Sequence, residues 1–73
     1  MKAILKFNLP EEQEEFEIAN KGWKFRSALS EYDSYLRGKI KYDESLTDEQ
    51  YKVYDEVRTK LWEILNEDQL TLD

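Results

Sequence analysis

The chain has no cysteine and no histidine, and only one proline and two glycines in 73 residues. Each shortage excludes something. Without cysteine there is no disulfide staple and no thiolate metal site. Without histidine the usual general base near neutral pH is missing, and without cysteine so is a strong nucleophile. The two glycines, Gly22 and Gly38, stand too far apart to form a glycine-rich phosphate loop. No apolar run approaches the roughly 18 residues of a membrane span. Lys6 comes too early in Met1–Phe7 for the apolar region of a secretory leader. These absences point to a non-enzymatic cytosolic protein with no cofactor, no metal and no membrane partner.

Charge is abundant and unevenly placed. The net charge is −6. Residues 11–20 carry five glutamates and no cation, whereas 21–42 carry six cations and two anions. Acid returns at 43–50 and again at 67–73. A basic middle between acidic flanks is most simply a source of internal charge pairing. The run Glu11, Glu12, Glu14, Glu15 suits the positive end of a helix dipole. It lacks the burial that would make a carboxylate an acid at neutral pH. The acids Asp43, Glu44, Asp48 and Glu49 lack the ligand spacing and central glycine of a calcium loop.

Seventy-three residues make one domain, 1–73. A chain this short buries only about 60% of its unfolded surface. Such chains lean on good helix packing or on self-association, so a homo-oligomer is expected.

The periodicity predicts a mainly α fold: a small three-helix domain with an antiparallel helix hairpin and short terminal β-strands. Ala3, Leu5, Phe7 and Leu9 alternate with polar Lys6 and Asn8, the pattern of a strand. Pro10 then opens a first helix that runs to about Lys21. Gly22 is suited to closing it in a left-handed conformation. A second helix is expected over about 23–40, with Phe25, Ala28, Leu29, Tyr32, Leu36 and Ile40 on one face. Residues 42–45 read as a loop. Thr47-Asp48-Glu49-Gln50 has the form of a capping box and begins a third helix. That helix carries Tyr54, Val57, Leu61, Ile64 and Leu65 on one face and ends near Asn66 or Asp68. The tail, residues 69–73, alternates again and could pair with the first strand.

Lys21-Gly22-Trp23-Lys24-Phe25-Arg26 admits two readings. Nucleic-acid binding would place the cations on phosphates and an aromatic against a base. Yet Lys24 and Arg26 lie about 200° apart on a helix, and the chain is acidic where nucleic-acid domains are usually basic. The structural reading is preferred: Gly22 breaks the helix, Trp23 and Phe25 anchor the next one, and the cations meet the glutamates before them. The chain also holds two tryptophans and five tyrosines. Such side chains are favoured at interfaces. Trp23, Tyr35, Tyr42, Tyr51 and Trp62 are the candidate partner-binding residues, because most sit at stripe edges or helix ends.

The opening Met1-Lys2-Ala3-Ile4-Leu5-Lys6-Phe7-Asn8-Leu9-Pro10-Glu11-Glu12-Gln13-Glu14-Glu15-Phe16, with Tyr32-Asp33-Ser34-Tyr35-Leu36-Arg37, resembles a group of small proteins of tailed bacteriophages and prophages. Those share an FNLPE start, a W-x-x-D-x-W-L-R core and a final helix with an LD tail. Tyr32 and Tyr35 depart from that core pattern. The resemblance covers nearly the whole chain and implies expression inside an infected bacterium, with no catalytic motif to carry over. The function expected is binding and inhibition of a host protein, such as a defence or transcription factor. The alternatives are an acidic DNA mimic and a structural or packaged virion component.

Overall fold

The computed structural model describes residues 1–72. Two helices, α1 (Gln13–Tyr42) and α2 (Asp48–Glu67), form an antiparallel hairpin around a short loop. Mainly helical character is as expected from the periodicity. The count of helices and the terminal strands are not.

The expected break at Gly22 is absent, and α1 runs through it for 30 residues. No glycine has a positive φ. A helix-interior glycine costs about 1 kcal/mol relative to alanine. Stopping and renucleating would cost more, since the first turn of a new helix is fixed for a single hydrogen bond. The chain before Trp23 offers no capping box to offset that.

Residues 3–9 form no strand. Alternation makes a sheet only where a neighbouring edge accepts the backbone hydrogen bonds, and a lone pair of strands is marginal in water. Instead Phe7 packs edge-on against Phe16 of α1, ring centroids 5.7 Å apart. The chain enters α1 through a turn in which the Glu12 amide donates to the Asn8 carbonyl at 2.7 Å. The Asn8 amide in turn donates to the Glu12 carboxylate at 2.8 Å. Pro10 sits inside this turn, and α1 begins at Gln13.

The start of α2 follows the sequence closely. The Gln50 amide donates to the Thr47 hydroxyl, and the Thr47 amide donates to the Gln50 side-chain carbonyl, a complete capping box. Its end explains why residues 69–72 make no strand. The Leu70 amide donates to the Leu65 carbonyl and the Gln69 amide to that of Asn66. Gln69 takes the left-handed conformation, φ 58°. This is a Schellman closure, and it turns the tail back toward α1. The last residue of the expected strand, Asp73, lies outside the described residues.

The core is thin. Among the described residues, Leu36 and Leu65 are the buried hydrophobic ones, 2% and 3% exposed. The helices are also unequal, α1 having 30 residues and α2 having 20. At 1.5 Å per residue, α1 outreaches its neighbour by roughly 15 Å. The molecule is accordingly elongated, 53 × 27 × 19 Å. Its radius of gyration is 17.3 Å, against about 11 Å for a compact chain of this length.

Both ends of α2 should respond to single substitutions. Thr47→Ala removes the cap and should cost about 1 kcal/mol. Gln69→Gly relieves the left-handed side chain and should stabilise by about 0.5–1 kcal/mol. Thermal unfolding followed by circular dichroism would reveal both, and opposite signs are expected.

Candidate functional site: an aromatic groove beside a polar tie

One polar cluster fixes how α2 lies on α1. Asp33 accepts from the Arg58 guanidinium at 2.9 Å and from the Trp62 indole N–H at 2.8 Å, both on one carboxylate oxygen. A second Arg58 nitrogen reaches the other oxygen at 3.4 Å. Arg58 and Trp62 are four residues apart and so share one face of α2. The Arg58 hydrogen bond is the main cause of the lowered pKa of Asp33, and the same pairing raises that of Arg58.

On the other flank of the seam lies an open groove of about 520 Å³, with α1 residues Tyr32 and Tyr35 facing Val53, Tyr54 and Val57 of α2. Buried Leu36 also lines it. Tyr32 and Tyr35 stack nearly parallel, centroids 6.5 Å apart and planes 15° apart. The Lys39 ammonium lies 5.8 Å from the Tyr35 ring centre. The pKa of Tyr54 is raised, first by a hydrogen bond with Tyr35. The groove wall therefore has orientation as well as apolar area, while Tyr32, Tyr35, Val53 and Val57 remain exposed.

At the hairpin turn the Lys39 ammonium donates to Asp43 at 3.1 Å. The Ser45 amide and hydroxyl both donate to the other Asp43 oxygen. The Ser45 hydroxyl first, and Lys39 next, pull the Asp43 pKa down to about 2. Two of the acids weighed for calcium, Asp48 and Glu49, begin α2. Among the described residues no group of three or more acidic side chains is placed to hold a metal ion. Nor is any helix long and apolar enough to cross a membrane.

The five candidate aromatics do not form one surface. Tyr35 lies in the groove. Tyr42 is 74% exposed at the turn. Trp23 is 68% exposed beside Arg26, Ser27, Ser30 and the returning Leu72. Tyr51 is exposed on the first turn of α2. Trp62 is half-buried with its N–H committed to Asp33, so it holds the helices in register. Tyr32, Val53, Tyr54 and Val57 line the groove with Tyr35, as do polar Glu49 and Gln50, and none of these is one of the five candidates from the sequence. The signal for the α2 wall was present: Gln50, Val53, Tyr54 and Val57 are spaced three and four apart.

Comparison with protein families, curated proteins and solved structures returns no match.

Acidification gives a test with a definite sign. Asp33 and Asp43 both have lowered pKa values in the folded chain. Their contribution is complete above the ordinary carboxylate value near 4. It is lost as the pH falls through the folded values, about 2 for Asp43. Melting temperature should drop between about pH 4 and pH 2. Asp33→Ala should cost about 1–2 kcal/mol at neutral pH, because two half-buried donors lose their acceptor, with solvent moderating the loss. Melts recorded across this pH range should also show a shallower acid dependence in that variant.

Proposed function

We propose that this chain is a non-enzymatic interaction protein that binds a bacterial host protein through the tyrosine–valine groove and thereby inhibits it. The observation that carries the reading is the groove itself. Tyrosine side chains of α1 and valine side chains of α2 stand exposed around a buried leucine, and the polar tie on the opposite flank holds their spacing. An amphipathic helix of the partner fits such a groove, with its apolar anchors three and four residues apart. Aromatic anchors in a rigid setting are the residue type that dominates binding energy at interfaces. The phage resemblance supplies the setting, an infected bacterial cell. The enzyme reading has no support in the residue types present, since neither histidine nor cysteine is available.

A DNA mimic would bind through its carboxylates. Its complex would weaken steeply with salt, as polyanion contacts do. A virion component would appear in purified particles.

The test is affinity capture from a host lysate with the wild-type chain and with Val53→Glu, at low and high salt. Val53 is exposed, so the variant should keep its helices by circular dichroism. A host protein retained by the wild type at high salt and released by Val53→Glu is the expected result. Its affinity should fall at least tenfold, the equivalent of about 1.4 kcal/mol. Capture indifferent to Val53 but abolished by salt would replace the groove reading with the DNA-mimic one.

A further inference from the structure

The part of α1 that outreaches α2 carries a stripe with no covering helix. Ile18, Gly22, Phe25, Leu29, Tyr32 and Leu36 follow one another at spacings of four and three, the pattern of a single helix seam. The C-terminal half of this stripe, around Leu36, meets α2. Since Asp33 pairs with Trp62 and α2 ends at Glu67, α2 stops near the level of Ala28. Ile18 and Phe25 beyond it are 57% and 59% exposed. Neither terminal segment covers them. Phe7 packs on Phe16, and Leu72 returns beside Trp23, Ser27 and Ser30. At 100° per residue those positions lie on the far side of the helix or well off the stripe.

Charge identifies what covers it. The overhang has an acidic end, with Glu14, Glu15 and Glu17 after Glu11 and Glu12 of the preceding turn, followed by a basic stretch with Lys21, Lys24 and Arg26. Among the described residues, Glu14, Glu15 and Lys21 enter none of the ion pairs within the chain. Arg26 has a contact of its own within the chain and contributes here only its charge. By helical periodicity, Glu14 and Lys21 flank one edge of the stripe, and Glu15 and Arg26 the other. A segment that is acidic and then basic is complementary to itself when turned end for end.

We propose that a second copy of this chain covers the overhang, the two α1 N-terminal halves packing antiparallel about a two-fold axis level with Asn20. In this register Ile18 of one copy lies over Gly22 of the other. The acidic end of each copy then lies level with the basic stretch of the other: Glu15 and Arg26 share one edge about 1.5 Å apart along the axis, and Glu14 and Lys21 share the other edge about 7.5 Å apart. The partner helix begins near the level at which α2 ends, so the two abut along the seam without competing for it. The glycine has a use here that it lacks in a single chain. A Cβ at Gly22 would meet nothing within 4 Å, so nothing inside one copy requires glycine, whereas a facing helix would approach most closely at a residue without a side chain. The tyrosine–valine groove lies at the other end of the hairpin and stays open. This inference therefore stands apart from host-protein binding.

The test is a pair of charge-reversed chains studied by sedimentation equilibrium. One carries Glu14→Lys and Glu15→Lys, the other Lys21→Glu and Arg26→Glu. The wild type should have the mass of two chains. Each reversed chain alone should have the mass of one, with helical circular dichroism retained, because like charges now face each other. An equimolar mixture should regain the mass of two. Added salt should weaken the wild-type pair and strengthen the self-association of each reversed chain, since exposed charges are screened. A wild type with the mass of one chain at every concentration would overturn the proposal. So would reversed chains that remain paired, or a mixture that fails to restore pairing. Gly22→Ala supplies an independent check. It should raise helical content in the dilute single chain and weaken pairing, whereas stronger pairing would refute the close approach at residue 22.

Discussion

The hairpin depends on Asp33. With two hydrophobic side chains buried among the described residues, apolar contact alone specifies poorly how far α2 slides along α1 or which way it rolls. A carboxylate that accepts from both Arg58 and Trp62 settles both. It fixes the axial level at one turn of each helix, and it fixes roll, because the two donors occupy a single face of α2. Everything on the opposite flank, the stacked tyrosines and the valines across from them, takes its spacing from that tie. The interaction is modest in energy because it is partly solvated. Its importance is in selecting one arrangement among several of similar apolar burial.

Local chemistry was legible in the sequence where it is self-contained. The capping box at Thr47 and Gln50 needs four consecutive residues and nothing else, and it forms as read. The hairpin, too, follows from two long periodic segments and a short polar link. Residues 3–9 failed because a strand is a relationship and not a property of seven residues. Their alternation is real, but no edge receives it. Gly22 failed for the opposite reason. A glycine is permissive of a break without requiring one, and the helix on either side was long enough to carry it. Gln69 was invisible, since nothing marks a glutamine as the residue that will turn left-handed and close a helix.

The same distinction applies to the candidate site. Counting aromatics picked out Tyr35, which lies in the groove, and Trp62, which instead serves the interior tie. Sequence periodicity cannot say which side of a stripe-edge aromatic meets a neighbour. That depends on the roll of α2, and the roll is set by Asp33, a charged residue that composition assigns to the surface. Tyr32 shares the helical face of Leu36, yet it is 47% exposed. A single facing helix covers less than the width of the stripe, and the stripe's edge is left in solvent.

The mismatch in helix length also bears on how the molecule moves through liquid. A rod drags more solvent than a sphere of equal mass, so its frictional coefficient is higher and its diffusion slower. With long and short dimensions of 53 and 19 Å, one copy of this chain would leave a porous column early, at the position of a considerably heavier globule. Elution volume alone would thus report an assembly even for a solitary chain, and translational diffusion would mislead in the same direction. Stoichiometry for a body of this shape has to come from quantities that weigh it directly.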